Sequence, residues 1–235
     1  MDPQDLATRT YNSSANLRRS GGVMAKETYA YLYVQDTWSD WEAGYAIAEL
    51  NSGRFFKAKG HRIPVKTVSA TKDPVTTMGG VRIIPELTVN DVTPESCAVL
   101  ILVGGDTWQN PIHQPIAQKA KELLDVGSNV AAICGSTSAL ANVGVFDARS
   151  HTSNALEYLK MAAPNYKGEA HYSNNKAVAD DNLITASSAG QLLFARHILA
   201  KLDVFSEEAL DAWYNYFDTG DPKYFGHLME SLPKE

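Results

Sequence analysis

Cys134 stands where a nucleophile would be expected. It lies within the stretch Asn129 to Leu140, N-V-A-A-I-C-G-S-T-S-A-L. Asn129 to Ile133 is a short apolar run with strand propensity, and the small residues from Gly135 onward can start a helix. A cysteine on a tight strand-to-helix turn projects from the sheet edge, and the first amides of the helix point toward any negative charge on the sulfur. Small residues on both sides leave room for a substrate. From this stretch alone a buried structural cysteine fits equally well, because a free thiol packs as a small hydrophobe.

Two other stretches carry groups that chemistry could use. Ser39-Asp40-Trp41-Glu42 has the capping-box form S-x-x-E, which places Glu42 in the first turn of a helix. There it either caps the helix by reaching back to the Ser39 amide or points into the crevice at the carboxyl ends of the strands, where doubly wound sheets bind ligands. Gly104-Gly105-Asp106 ends an apolar strand, and its two glycines permit positive φ or the close approach of another group.

The elements that must position these residues follow in alternation. Tyr29 to Val34 is the first strand, apolar almost throughout, as a parallel strand covered on both faces should be. A helix follows over Ala43 to Leu50 and stops at Asn51-Ser52-Gly53. Arg62 to Val68 is the second strand. Thr76 to Val92 is an insertion with a small hairpin or edge strand around Gly79-Gly80. Cys97 to Val103 is a strand, Ile112 to Val126 a helix, and the Cys134 strand and turn come next. A helix from Ser153 or Asn154 to Ala162 stops before Pro164. Ala177 to Ala186 forms a hairpin that delivers the last core strand, and Gln191 to Leu202 closes the domain as a helix. This order requires a doubly wound, mostly parallel α/β sheet with helices on both faces.

The chain has 235 residues, 44% of them hydrophobic, enough for one large domain with an appendage. Residues 1–23 are polar and rich in Ser, Asn, Arg and Gly, and read as a flexible extension. The α/β domain spans 24–204. Residues 205–235 form a C-terminal helical tail whose aromatics pack on the domain or on a second subunit. A net charge of −6 argues against nucleic acid or an anionic membrane as partner, and favours small molecules or other proteins, a small-molecule substrate among them. No segment approaches 18 consecutive apolar residues, so no membrane span is expected. Cys97 and Cys134 are the only cysteines and lack ligand spacing, so neither a disulfide framework nor a metal site is expected. A cytoplasmic location and no cofactor follow as expectations.

A-A-I-C-G-S-T-S-A-L around Cys134, D-W-E ending at Glu42, L-V-G-G-D ending at Asp106 and S-H-T-S containing His151 occur in order, each near a strand end or helix start. Together they resemble the ThiJ/PfpI superfamily, with its class I glutamine amidotransferase-like, flavodoxin-like fold. The resemblance covers Tyr29 to Leu202, about three quarters of the chain. It implies that Cys134 is the reactive cysteine of a nucleophile elbow and that Glu42 is the carboxylate approaching its sulfur. It also implies that the amides of Gly105 and Gly135 form an oxyanion hole, and that His151 is the histidine some members bring in from the loop after the elbow helix. A homodimer is implied as well. Protease-like members carry His directly after the cysteine, where this chain has Gly135, and amidotransferases carry a His-x-Glu pair that is missing here.

Three functions follow from the resemblance. The first is a hydrolase- or lyase-type enzyme that attacks a small electrophilic carbonyl or amide, glyoxalase or deglycase chemistry included. Trp38, Trp41 and Trp108 would narrow its pocket mouth unless they pack instead. The second is a non-enzymatic stress protein or holdase that responds to oxidation of Cys134. The third is an amidotransferase-like protein lacking the full triad.

Overall fold

Residues 27–234 are described by a computed structural model, so the expected extension over 1–23 lies outside the described residues. The strands are β1 (Tyr29–Tyr33), β2 (Val65–Ser69), β3 (Val75–Thr76), β4 (Arg82–Ile83), β5 (Leu87–Thr88), β6 (Cys97–Leu102), β7 (Asn129–Ile133), β8 (Ala177–Asp180) and β9 (Leu183–Ala186). The helices are α1 (Gly44–Ser52), α2 (Gln114–Asp125), α3 (Ser136–Asn142), α4 (Leu156–Ala162), α5 (Gln191–Lys201), α6 (Glu207–Thr219) and α7 (Pro222–Ser231).

Seven strands form one sheet in the order β5-β2-β1-β6-β7-β9-β8, parallel throughout except for β8 against β9. The central five, β2-β1-β6-β7-β9, follow the 2-1-3-4-5 order of the flavodoxin-like doubly wound sheet, whose switch point falls between β1 and β6. Side chains alternate across the sheet because the strand period is two. Ala30, Leu32, Ile101 and Ala131 face the layer built by α1, α5 and α6. Tyr31, Tyr33, Leu100 and Ala132 face the layer of α2, α3 and α4. Burial on both faces is why these strands read as continuous apolar runs rather than alternating ones.

The first helix begins later than its capping-box sequence suggests. Ser39 to Glu42 closes a turn, the Glu42 amide donating to the Ser39 carbonyl at 3.2 Å, and α1 starts only at Gly44. Glu42 therefore lies ahead of the helix and is free to point elsewhere. The stop is where the sequence places it. Gly53 takes a φ of 59° and donates to the Glu49 carbonyl at 2.9 Å, and a Cβ there would lie 2.0 Å from the His61 carbonyl oxygen. Three other boundaries shift by a few residues. β2 runs over Val65–Ser69 rather than Arg62 to Val68, a 3-10 turn at Pro111–His113 precedes α2, and α4 begins at Leu156.

The insertion contains the expected hairpin, β3 against β4, and also supplies β5 to the edge of the main sheet. It braces the loop that carries Glu42. The Thr37 amide donates to Thr76 O at 2.8 Å, Met78 N–H to Trp38 O at 3.0 Å, and Gly79 N–H to Asp40 Oδ2 at 2.6 Å. The tail folds back onto its own domain. Trp213 of α6 is fully buried and donates Nε1 to Glu49 Oε1 at 3.0 Å. Arg54 grips the same buried carboxylate at 2.9 and 2.5 Å, so three donors offset its desolvation. Among the described residues no helix is long and apolar enough to cross a membrane.

Candidate active site

The carboxyl ends of β1, β6 and β7 bring the chemistry-bearing loops together at the switch point of the sheet. Cys134 directly follows β7 with a φ of 60°, a left-handed conformation that a residue with a Cβ adopts at a cost of roughly 1 kcal/mol or more. Hydrogen bonds on every side hold it there. Its amide donates to Ala186 O at 2.9 Å, and its carbonyl accepts the Thr137 hydroxyl at 2.6 Å. The fully buried Ser136 hydroxyl accepts the Ile133 amide at 3.0 Å and lies 2.9 Å from Leu102 O, tying the end of β6 to the end of β7. Cys134 as a residue is only partly buried.

Glu42 reaches the same point from β1. Its side chain is fully buried, and Oε2 accepts the Gly104 amide at 2.5 Å. Gly104 occupies the narrow space between the acid and the thiol, where a Cβ would lie 2.8 Å from Glu42 Oε2 and 2.9 Å from Cys134 Sγ. Close approach, not positive φ, is what this position requires. Burial pushes the Glu42 carboxyl above its ordinary value, against the pull of the Gly104 amide and the thiol. Burial, and then the Glu42 charge, push the Cys134 thiol up to about 11, with Asn154 and the Gly135 amide pulling it back. Two acids so close cannot both ionise cheaply, so the pair titrates as a unit and holds a proton at neutral pH.

Gly105 and Gly135 face each other beside the sulfur. A Cβ on Gly135 would stand 3.2 Å from Gly105 O, 3.5 Å from Gly105 N and 3.2 Å from Trp108 Cδ1. Behind Gly105 lies Gln35, its Nε2 only 2.7 Å from where a Gly105 Cβ would be, so a side chain at Gly105 would displace the Gln35 amide, whereas the contacts at Gly135 are merely tight. A cleft of about 440 Å³ opens next to Gly105, lined by Gly105, Asp106, Trp108, Gln109, Tyr158 and Met161 among others. Of the three tryptophans expected at its mouth, Trp108 lines it and is fixed by an Nε1 bond to Val103 O at 2.8 Å. Trp38 is buried in the core on the α1 side, and Trp41 is 49% exposed. Among the described residues no group of three or more His, Cys, Asp or Glu side chains is placed to hold a metal ion.

His151 is not brought to the sulfur by any contact of its ring nitrogens. Nδ1 lies 2.7 Å from Arg149 O and Nε2 lies 2.7 Å from the Tyr166 hydroxyl, while the buried ring stacks on Phe146 at 4.3 Å. A carbonyl can only accept, so Nδ1 carries the proton and Nε2 accepts from tyrosine. The residue of this loop that reaches Sγ is Asn154, whose Nδ2 donates at 3.2 Å. In the sequence it reads only as the start of a helix, since an asparagine in a polar loop belongs to no period or motif.

A sheet of this order with a strained cysteine elbow, a buried carboxylate on its thiol and facing glycines defines a class, and the sequence places the chain within it. The chain belongs to the DJ-1/PfpI family, whose description matches residues 28–201. It is similar to the uncharacterized protease YoaZ of Bacillus subtilis (strain 168), 48% identical over 202 residues that cover 86% of this chain and 96% of the relative. The deglycase PfpI of Pyrococcus furiosus is 24% identical over 137 residues, 58% of this chain and 79% of that protein. Among solved structures, the thiJ/pfpI family protein from Bacillus anthracis superposes with a TM-score of 0.85 at 53% identity, covering 88% of this chain and 98% of that one.

Proposed function

We propose that this protein is a hydrolase-type enzyme that attacks a small electrophilic carbonyl or amide with Cys134, using Glu42 to move the proton. The observation that carries the reading is the Glu42–Cys134 pair packed across Gly104. Relatives named as a protease and as a deglycase support the class. Because burial and Glu42 keep the resting thiol protonated, the sulfur is activated at the moment of attack rather than beforehand. The S–H proton passes to the Glu42 carboxylate as the S–C bond forms, and the carbonyl π pair moves onto oxygen. The Gly105 and Gly135 amides receive that oxyanion, a role that the close approach of the two glycines supports. With an amide substrate, Glu42 returns the proton to the departing nitrogen as the C–N bond breaks. Water then attacks the thioester, the acid is released, and the sulfur regains its proton through Glu42.

A peroxide sensor needs a standing thiolate. Burial and the Glu42 charge oppose one here, which favours the enzyme over a redox-responsive role. The test is turnover of methylglyoxal and of small primary amides by the wild-type protein, Cys134→Ser and Glu42→Gln. Loss of all turnover in the serine variant and a loss of about 10²- to 10⁴-fold in the glutamine variant are expected. Equal rates in Cys134→Ser would end the proposal. The family resemblance also makes a homodimer part of this reading, and sedimentation equilibrium decides it.

A further inference from the structure

The Asn154 carboxamide is held at both ends. Oδ1 accepts the Ser188 backbone N–H at 2.8 Å, and Nδ2 donates to Cys134 Sγ at 3.2 Å. A backbone N–H demands an acceptor, so the oxygen must face Ser188 and the NH2 group must face the sulfur. Both anchors are themselves fixed. The Ser187 amide next to Ser188 donates to Lys176 O at 2.9 Å. On the other side, the Ser153 hydroxyl pairs with Thr137 Oγ1 at 2.7 Å, and Thr137 in turn holds the Cys134 carbonyl. The donor is therefore aimed before any substrate arrives.

The geometry points to Asn154 as a catalytic residue of the Cys134 site, a donor without a titrating proton that stabilises negative charge on Sγ and leaves Glu42 as the proton carrier. This rests on the proposed thiol chemistry and adds to it a division of labour. As the S–H proton leaves for Glu42, charge accumulates on sulfur and the Asn154 N–H bond strengthens, since bonds to charged acceptors are about twice as strong as neutral ones. An asparagine cannot take the proton at any accessible pH. Its contribution is therefore constant across the pH range in which an imidazole in its place would switch.

The test is the rate of Cys134 alkylation by iodoacetamide between pH 7 and 12 in the full-length protein, a readout that needs no substrate. Asn154→Asp keeps an acceptor for Ser188 and so retains the loop anchor, but removes the donor and places a like charge by the sulfur. Its profile should move to higher pH, with alkylation at pH 8 more than about tenfold slower. Asn154→Ala should be slower by about three- to tenfold at pH 8, with the rate at high pH unchanged. Wild-type profiles in both variants would overturn the assignment, whatever their melting temperatures. If no substrate turns over but the profiles shift, the proposed reaction fails and the role of Asn154 stands. Turnover with unshifted profiles would leave the reaction standing and take Asn154 out of it.

Discussion

Glu42 and Cys134 meet across a glycine that has no room for a side chain, a Cβ on Gly104 lying within 3 Å of both Oε2 and Sγ. The φ of Gly104 is not positive, so its backbone would accept alanine and the entire cost of substitution falls on this contact. Gly104→Ala should lower stability by about 1–3 kcal/mol through overpacking. It should also push the carboxylate away from the thiol. The Glu42 charge raises the thiol's pKa, so alkylation of Cys134 should shift to lower pH while turnover is lost. Denaturant titration and the alkylation profile of the variant check both halves. An unshifted profile would show that Glu42 does not act on the sulfur.

The buried carboxylate should also cost stability in a pH-dependent way. Folded Glu42 holds its proton above the ordinary value near 4.5 because of burial, so unfolding releases protons as pH rises from there through the folded pKa. Stability contributed by the protonated acid is full below about pH 4.5 and is lost above that window. Glu42→Gln removes the titration. Its melting temperature should match the wild type near pH 4 and exceed it at pH 7, by about 2–4 °C for each kcal/mol relieved. Calorimetry at the two pH values reads the difference, and a variant less stable at pH 7 than at pH 4, relative to wild type, contradicts the burial argument. A gain in stability with a loss of turnover is what a strained functional site predicts.

The sheet was legible because burial on both faces leaves a strong mark. β7 runs over the same five residues that the apolar pattern marks, and β1 and β6 end within one residue of the expected boundaries. Cys134 could be placed on its turn for the same reason. Of the two roles that S-x-x-E leaves open for Glu42, the cap inside the helix fails because the motif records a local preference, whereas the Gly104 amide offers a tertiary partner that wins. β5 was hidden in the insertion because two residues carry no period. Asn154 left no signal, since its role depends on Ser188, 34 residues away, to orient the amide.

The backbone at Cys134 stores a cost that glycine would not bear. At a φ of 60° an L-residue with a Cβ is strained, and two substitutions separate that strain from the loss of the thiol. Cys134→Ala removes the sulfur and keeps the Cβ, while Cys134→Gly removes both. The glycine variant should be more stable than the alanine variant by about 1 kcal/mol, although glycine usually weakens a folded chain. Urea titration of the pair decides it. An alanine variant of equal or greater stability would mean that the hydrogen bonds with the Ala186 carbonyl and the Thr137 hydroxyl do not hold the elbow against its own preference.

His151 should behave as a structural residue when it is removed. Its two ring nitrogens are engaged by Arg149 O and Tyr166 Oη, and its face is stacked on Phe146. His151→Ala leaves a cavity and a part-buried tyrosine hydroxyl without its acceptor, which should cost about 2–4 kcal/mol. The alkylation profile of Cys134 should stay at the wild-type position, because the ring makes no bond to the sulfur. Burial also holds the folded imidazole below its ordinary pKa of 6.5. The unfolded chain therefore binds more protons below that pH, and the wild-type protein should lose stability as the solution is acidified through it. In the alanine variant that acid sensitivity should be smaller, with His113 and His197, also lowered by burial, supplying the remainder. A variant that melts normally yet alkylates or turns over differently would put His151 into the reaction and its present hydrogen bonds into a resting arrangement.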